Sequence, residues 1–286
     1  MKTETENMSN NMNSWEFIDE YSFVEPPYRQ SRLAVSSGEN QALREVMERV
    51  DASVDINTLW DCSNVIAINR LGYSDHGMQH IEIVAKYALK MLRLLYDADI
   101  KPSCMTDHGL SYDDAEVIVF LGACLHDIGH SIHRDNHSQY SVWLAMPLLE
   151  KILGGLYTRE KQVIMSSEIL HCIAVHHKDC RPLTIEAGIL RVSDALDMAH
   201  GRTRLWDESS SSSNIHAIST KAIESVEVCK GKTKPVCINI SMSGSAGVFQ
   251  VDELLRPKLS GSGIQDYVQV SVKMSCEKGL VNDFTL

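Results

Sequence analysis

The apolar run Val117–Leu125 ends abruptly on His126 and Asp127, and that junction constrains the chain more than any other feature. A stretch this apolar belongs inside a protein. A carboxylate delivered at its end must be protonated, paired or bound to a cation, because an isolated buried charge costs several kcal/mol. The surroundings point to a cation. Four of the twelve histidines fall within the fourteen residues Cys124–His137, namely His126, His130, His133 and His137. A histidine that only satisfies its own hydrogen bonds needs one or two polar neighbours, not a cluster with an aspartate in it. Neutral imidazole nitrogen and carboxylate oxygen are the donors preferred by Mn, Fe, Co, Ni and Zn.

Other segments carry matching residues. His76 and His80 stand four apart at the start of an amphipathic stretch, so a helix would place both rings on one face. His171, His176 and His177 close a second such stretch that begins at Val163. Asp194 lies within Ile189–Met198, apolar enough that an inward carboxylate needs a partner, and Asp197 reads as the solvent-facing or helix-binding member of the two. The order is His, then His-Asp, then His-His, then Asp, with each member on a different expected helix. His108, His200 and His216 have no partners in this pattern.

In this order and spacing the chain resembles the HD-domain metal-dependent phosphohydrolases. Their first histidine, opening a helix of the form His-x-x-x-Val-Ala-x-x-Ala, corresponds to His80; their doublet to His126 and Asp127; their distant aspartate to Asp194. The resemblance covers about residues 70 to 200. It implies a helical metal-binding bundle and metal ligands His80, His126, Asp127 and Asp194. His137, His176 and His177 resemble the further imidazoles of the two-metal branch, in which the doublet's aspartate bridges the ions. The Gly-Tyr-Pro signature of the cyclic-dinucleotide branch is absent after His177, where Lys178 to Thr184 follow, so that branch's substrate is not carried over.

The chemistry fits these residue types. Two ions about 3.5–4 Å apart can share a hydroxide, lower its pKa and clamp the free oxygens of a phosphate. The expected reaction is hydrolysis of a phosphomonoester or a (cyclic) phosphodiester of a nucleotide-like small molecule, with Asp127 and His130 as catalytic residues. His130 takes phosphate contact or leaving-group protonation. Arg134, Lys178, Arg202 and Arg204 are the expected substrate contacts. The cofactor is a divalent transition metal, two ions, Mn2+ or Fe2+, with Ni2+, Co2+ and Zn2+ also compatible. His76 is a ligand of a third ion or a supporting partner, and His171 a supporting residue. Two other readings stay open: a di-iron oxygenase on the same frame, and a non-catalytic sensor with a structural metal.

A formal charge of −11 excludes a nonspecific nucleic-acid binder, which would need a basic surface. It leaves a small phosphorylated metabolite or nucleotide as the partner, since the metals supply local positive charge. No apolar run approaches the ~20 residues of a membrane span, and Met1–Asn7 is not an apolar signal segment. The eight cysteines form no Cys-x-x-Cys pair, as for reduced thiols in a cytoplasmic protein. A homo-oligomer is left open.

Mainly α architecture is expected, an HD-type helical bundle followed by a small C-terminal α+β module. Residues 1–12 read as a disordered tail and 13–207 as the helical domain. Helices are expected at 40–50, 56–71, 78–97, 113–127, 138–155, 159–177 and 184–200, with breaks at Gly72, Pro102, Gly129, Gly154 and Pro182. The five serines Ser209–Ser213 mark residues 208–214 as a linker across which little core should pass. Residues 215–286 then alternate as strands at 223–229, 236–241 and 267–273, with a helix at 250–259 that Pro257 would end or kink, giving β-β-α-β.

Overall fold

A computed structural model describes residues 32–177, 179–199, 215–275 and 282–285. The tail 1–12, Lys178, His200, Arg202, Arg204 and the serine run therefore lie outside the described residues. Among the described residues eight α-helices precede residue 200. α1 (Gln41–Asp51) and α2 (Val54–Asn64) begin at side-chain caps, Asn40 Oδ1 accepting from Leu43 N at 2.9 Å and Ser53 Oγ from Ile56 N at 3.3 Å. A π-helical turn, Val65–Arg70, follows α2, so the expected helix 56–71 is a regular helix plus a widened turn. The remaining six are α3 (Met78–Tyr96), α4 (Ser103–His108), α5 (Tyr112–Leu125), α6 (His137–Leu153), α7 (Arg159–Val175) and α8 (Ile185–Ala195). Of these eight only α4 has no counterpart among the expected helices. Buried Glu186 accepts from Ser103 N at 3.1 Å and Cys104 N at 2.8 Å, a tertiary cap on a six-residue helix.

α5 is the axis of the bundle. It starts at a capping box between Ser111 and Asp114, and every residue from Asp114 to Leu125 is buried. A helix apolar on all sides must be surrounded, and α1, α3, α7 and α8 pack around it. Its last turn is secured by α2: Trp60 Nε1 donates to Cys124 O at 2.9 Å, and Ser63 Oγ to Asp127 O at 3.3 Å. The apolar run thus carries His126 and Asp127 to one fixed point at the end of the buried axis.

Gly129 decides what meets them there. In the 3-10 turn Ile128–Ser131, its N–H donates to Ser141 Oγ at 2.8 Å, and a Cβ at this position would overlap the His137 carbonyl. Only glycine lets the start of α6 close onto the turn and bring His137 beside Asp127. Asn136, the residue before α6, takes a left-handed conformation with φ of 62°, which asparagine tolerates better than most side chains.

The C-terminal part contains α9 (Ile215–Ala222), β1 (Ile223–Lys230), β2 (Val236–Met242), α10 (Val248–Gln250), a π turn (Val251–Leu255), α11 (Arg256–Ser260), β3 (Val268–Met274) and β4 (Asn282–Thr285). The sheet order is β1-β2-β3-β4, with β2 and β3 parallel and the outer pairs antiparallel. A parallel pair needs a crossover, which the helical segment 248–260 provides. β4 extends the expected β-β-α-β order. Pro257 does not end the segment: it stands in the first turn of α11, directly after the π turn, where a missing backbone donor costs least.

Residues Arg32–Leu286 form one packing unit, and a single apolar core runs from Leu92 and Phe120 in the bundle to Ile238 and Val270 in the sheet. The contact is intimate. Tyr87 OH donates to Val226 O at 2.8 Å, Arg191 reaches the carbonyls of Cys180 and Pro257, and a Cβ on Gly188 would overlap Ser262 O. Core therefore does pass between the bundle and the sheet. The described cysteines are free thiols, with Cys104, Cys124, Cys172 and Cys237 buried. Among the described residues no helix is long and apolar enough to cross a membrane.

Candidate metal centre

Three groups of donors converge at the end of α5, and Asp127 belongs to all of them: His80, His126, Asp127 and Asp194; Asp127, His137 and His176; and His76, Asp127 and His130. Asp127 divides its oxygens between the first two. Oδ2 lies 3.4 Å from both His80 Nε2 and His126 Nε2. Oδ1 lies 3.5 Å from His137 Nε2 and from His176 Nε2, and 3.7 Å from His130 Nε2. Asp194 Oδ1 completes the first group at 3.5 Å from His80 Nε2 and 3.7 Å from His126 Nε2.

The far nitrogens fix the tautomers. His126 Nδ1 donates to Ala123 O at 2.9 Å, His176 Nδ1 to Ile173 O at 2.7 Å and His137 Nδ1 to Arg134 O at 2.8 Å. Each uses a carbonyl three residues back: for His126 and His176 it lies in the last turn of a helix, where carbonyls lack helical partners, and for His137 in the turn that leads into α6. His80 Nδ1 donates to Asp197 Oδ2 at 2.7 Å. Every neutral ring is thereby left with a bare Nε2. Two such pairs face each other, His80 with His126 at 3.3 Å and His137 with His176 at 3.1 Å. Neutral rings so oriented have no proton to share between those nitrogens, and a cation turns this repulsion into coordination. The spacing suits one: donors each about 2.1 Å from an ion stand about 3.0 Å apart at right angles and about 3.4 Å apart at the tetrahedral angle. The residues present therefore fit divalent metal, and no thiolate is in the three groups.

Burial and neighbours set the charge states. Burial alone would raise the Asp127 carboxyl, but the imidazoles around it hold it well below the usual carboxylate range. Asp194 behaves alike, with Lys258 and His126 outweighing burial. Burial pushes the His176 ring down to about 4 and the His130 ring down to about 3. This has a consequence for metal-free protein. The unfolded chain takes up protons on these histidines as pH drops below about 6.5, while the folded chain resists until about 4 or lower. The unfolded state binds more protons in that window, so stability is lost as pH falls through it. The two depressed carboxyls act in the same direction further down. In the presence of chelator, Tm is expected to be lower at pH 5 than at pH 7; an unchanged Tm would contradict the neutral, buried rings.

The centre opens into a cleft of about 880 Å³. Arg134 stands at its mouth, exposed, its guanidinium 3.8 Å above the Tyr73 ring. His130 is enclosed between His76, with centroids 4.4 Å apart, and His137 at 4.2 Å. Its buried Nδ1 has no hydrogen-bond partner among the described residues, an orphan that a ligand in the cleft would satisfy. Since the ring is neutral, it offers a lone pair or an N–H rather than the proton of a cationic acid.

Of the expected ligands, His80, His126, Asp127, His137, His176 and Asp194 are brought together. His177 is not: its ring turns to Asp179, Nδ1 lying 3.0 Å from Oδ2 at the exposed end of α7, because successive residues at a helix end point apart. His76 joins Asp127 and His130. His171 sits away from the centre, accepting from Leu183 N at 3.1 Å and holding the loop after α7. Of the two alternatives for Asp197 the solvent-facing one is corrected: it is buried and bound to His80 on α3. Its spacing of three from Asp194, within a run apolar on both sides, is the signal that marks both as inward. Such a carboxylate behind a ligating histidine fixes the ring and raises its basicity. Lys258, bound to Asp194, has no local signal at all.

Two comparisons match this geometry. The HD domain family profile matches residues 77–199, the stretch from the start of α3 to just beyond α8 that carries His80, the doublet, Asp194 and Asp197. The chain is also similar to the uncharacterized protein MJ1020 of Methanocaldococcus jannaschii, with 43% identity over 231 residues, covering 81% of this chain and 89% of that protein.

Proposed function

Because the chain belongs to the HD-domain superfamily of metal-dependent phosphohydrolases, we propose that it hydrolyses a phosphomonoester or a (cyclic) phosphodiester of a nucleotide-like small molecule at a centre of two divalent ions. The observation that carries this reading is the division of Asp127, one oxygen toward His80, His126 and Asp194 and the other toward His137 and His176. Held by these residues, Mn2+ or Fe2+ would supply positive charge for the phosphoryl oxygens and would ease deprotonation of the attacking water.

Charge supports the number two. Setting the imidazoles aside, the described lining of the cleft holds two cations, Arg134 and Lys258, against five carboxylates, Asp127, Asp135, Asp179, Asp194 and Glu253. Three negative charges remain. One divalent ion leaves the cleft negative, and a second reverses its sign, which a phosphate needs.

The chain's own residues orient the reaction. Asp197 holds His80, Asp127 fixes the two ligand sets relative to each other, and the neutral His130 directs an N–H toward a phosphoryl or leaving-group oxygen. Arg134 holds the outer part of the substrate; Lys178, Arg202 and Arg204, the other expected contacts, lie outside the described residues. Trp143, 58% exposed on the cleft wall contributed by α6, offers a flat face for a nucleobase.

The test is metal analysis of anaerobically purified protein beside a screen of monoesters, diesters and 2′,3′-cyclic phosphates. Phosphoester hydrolysis with about two ions per chain is expected. His137→Ala lowers that number toward one, while His177→Ala leaves it unchanged. Oxygen consumption with a polyol, or no turnover of any phosphoester, overturns the reading.

A further inference from the structure

Asp194, like Asp127, uses its two oxygens for different purposes. Oδ1 faces the imidazoles of His80 and His126. Oδ2 is bound by the ammonium of Lys258, which comes from α11 in the C-terminal part, 64 residues further along the chain. Both side chains are sheltered, at 15% and 11% exposure. Asp194 can therefore hold an ion through Oδ1 without releasing Lys258 from Oδ2.

The lysine has more to give than this ion pair uses. An ammonium carries three donors, and Asp194 is its one hydrogen-bonding partner among the described residues. Lys258 also lines the cleft, together with Glu253 and Leu254 from the π turn Val251–Leu255. π turns recur where a helix must re-aim side chains at a functional site. A lysine that merely neutralised Asp194 would be made redundant by a bound ion. This one is retained at the cleft wall by the oxygen that the ion leaves free.

We infer that Lys258 is a phosphate-binding residue, supplied by the C-terminal part, that holds a phosphoryl oxygen beside the His80, His126, Asp127 and Asp194 group. This rests on the phosphohydrolase reading above and extends it, since it makes the sheet-bearing part a component of the active site. The ion pair leaves Lys258 little freedom to move, so less entropy is lost when it closes on phosphate than for an exposed lysine.

The test uses the full chain loaded with Mn2+ and titrated with inorganic phosphate by calorimetry, as wild type, Lys258→Met and Lys258→Arg, with Mn content measured in each. Lys258→Met keeps much of the apolar stem, and Lys258→Arg keeps the charge, so one folded variant suffices. Phosphate affinity is expected to fall about ten- to a hundredfold in Lys258→Met and to recover in part in Lys258→Arg, at constant Mn content. Unchanged phosphate affinity, loss of Mn from Lys258→Met, or failure of the wild type to bind phosphate would each overturn the assignment. A wild type that binds phosphate through Lys258 yet cleaves no phosphoester keeps the assignment and sinks the hydrolase reading instead.

Discussion

Asp127→Ala is expected to abolish phosphoester hydrolysis, by more than about a thousandfold, and to strip the protein of most of its metal while its far-UV helical signal survives. No other residue belongs to all three donor groups. Its loss removes one ligand from each proposed ion and the only link between them. The remaining imidazoles would then face one another with bare nitrogens and little to balance a divalent charge. The fold does not depend on this carboxylate. α5 is held by apolar side chains along its whole length, and its end is tied by Trp60 to the Cys124 carbonyl. Metal content, circular dichroism and turnover on one preparation check the prediction; metal near the wild-type level would contradict it.

Deleting the chain beyond Ser210 is expected to be as severe, through folding rather than chemistry. The deletion removes Ile223, Val228, Ile238, Ile240, Val270 and Val272 from the single apolar core and uncovers the faces of α3 and α8 on which the C-terminal part packs. It also strands Gly188, whose missing side chain exists to admit the backbone at Ser262, and Arg191, which reaches Pro257. Insoluble protein, or soluble protein without a cooperative thermal transition, is the expected result. A soluble truncation with wild-type Tm and metal content would show that the bundle stands alone.

These two results separate what local pattern reveals from what it conceals. The axis helix, the doublet and the histidines on neighbouring helices are legible because each is written in one short segment: an apolar run, a spacing of four, a helix end. Asp197 was nearly legible. Of its two alternatives the outward one fails because one face of the bundle continues past the end of α8, so both carboxylates turn inward. His177 misleads for the opposite reason, since adjacency to His176 says nothing about direction at a helix terminus. The serine run suggests a boundary that the core does not respect, because the composition of a connecting segment says nothing of whether the segments it joins pack together. Lys258 could not be found locally; its partner is 64 residues away and is reached only through the tertiary fold.

Anomalous diffraction from crystals of the Mn2+- or Fe2+-loaded full chain tests most directly the proposal that Asp127 serves both ligand sets. Two anomalous peaks are predicted, about 3.5–4 Å apart, one bounded by His80, His126 and Asp194 and the other by His137 and His176, with one oxygen of Asp127 on each. A single peak, or two peaks with Asp127 ligating only one of them, would contradict it.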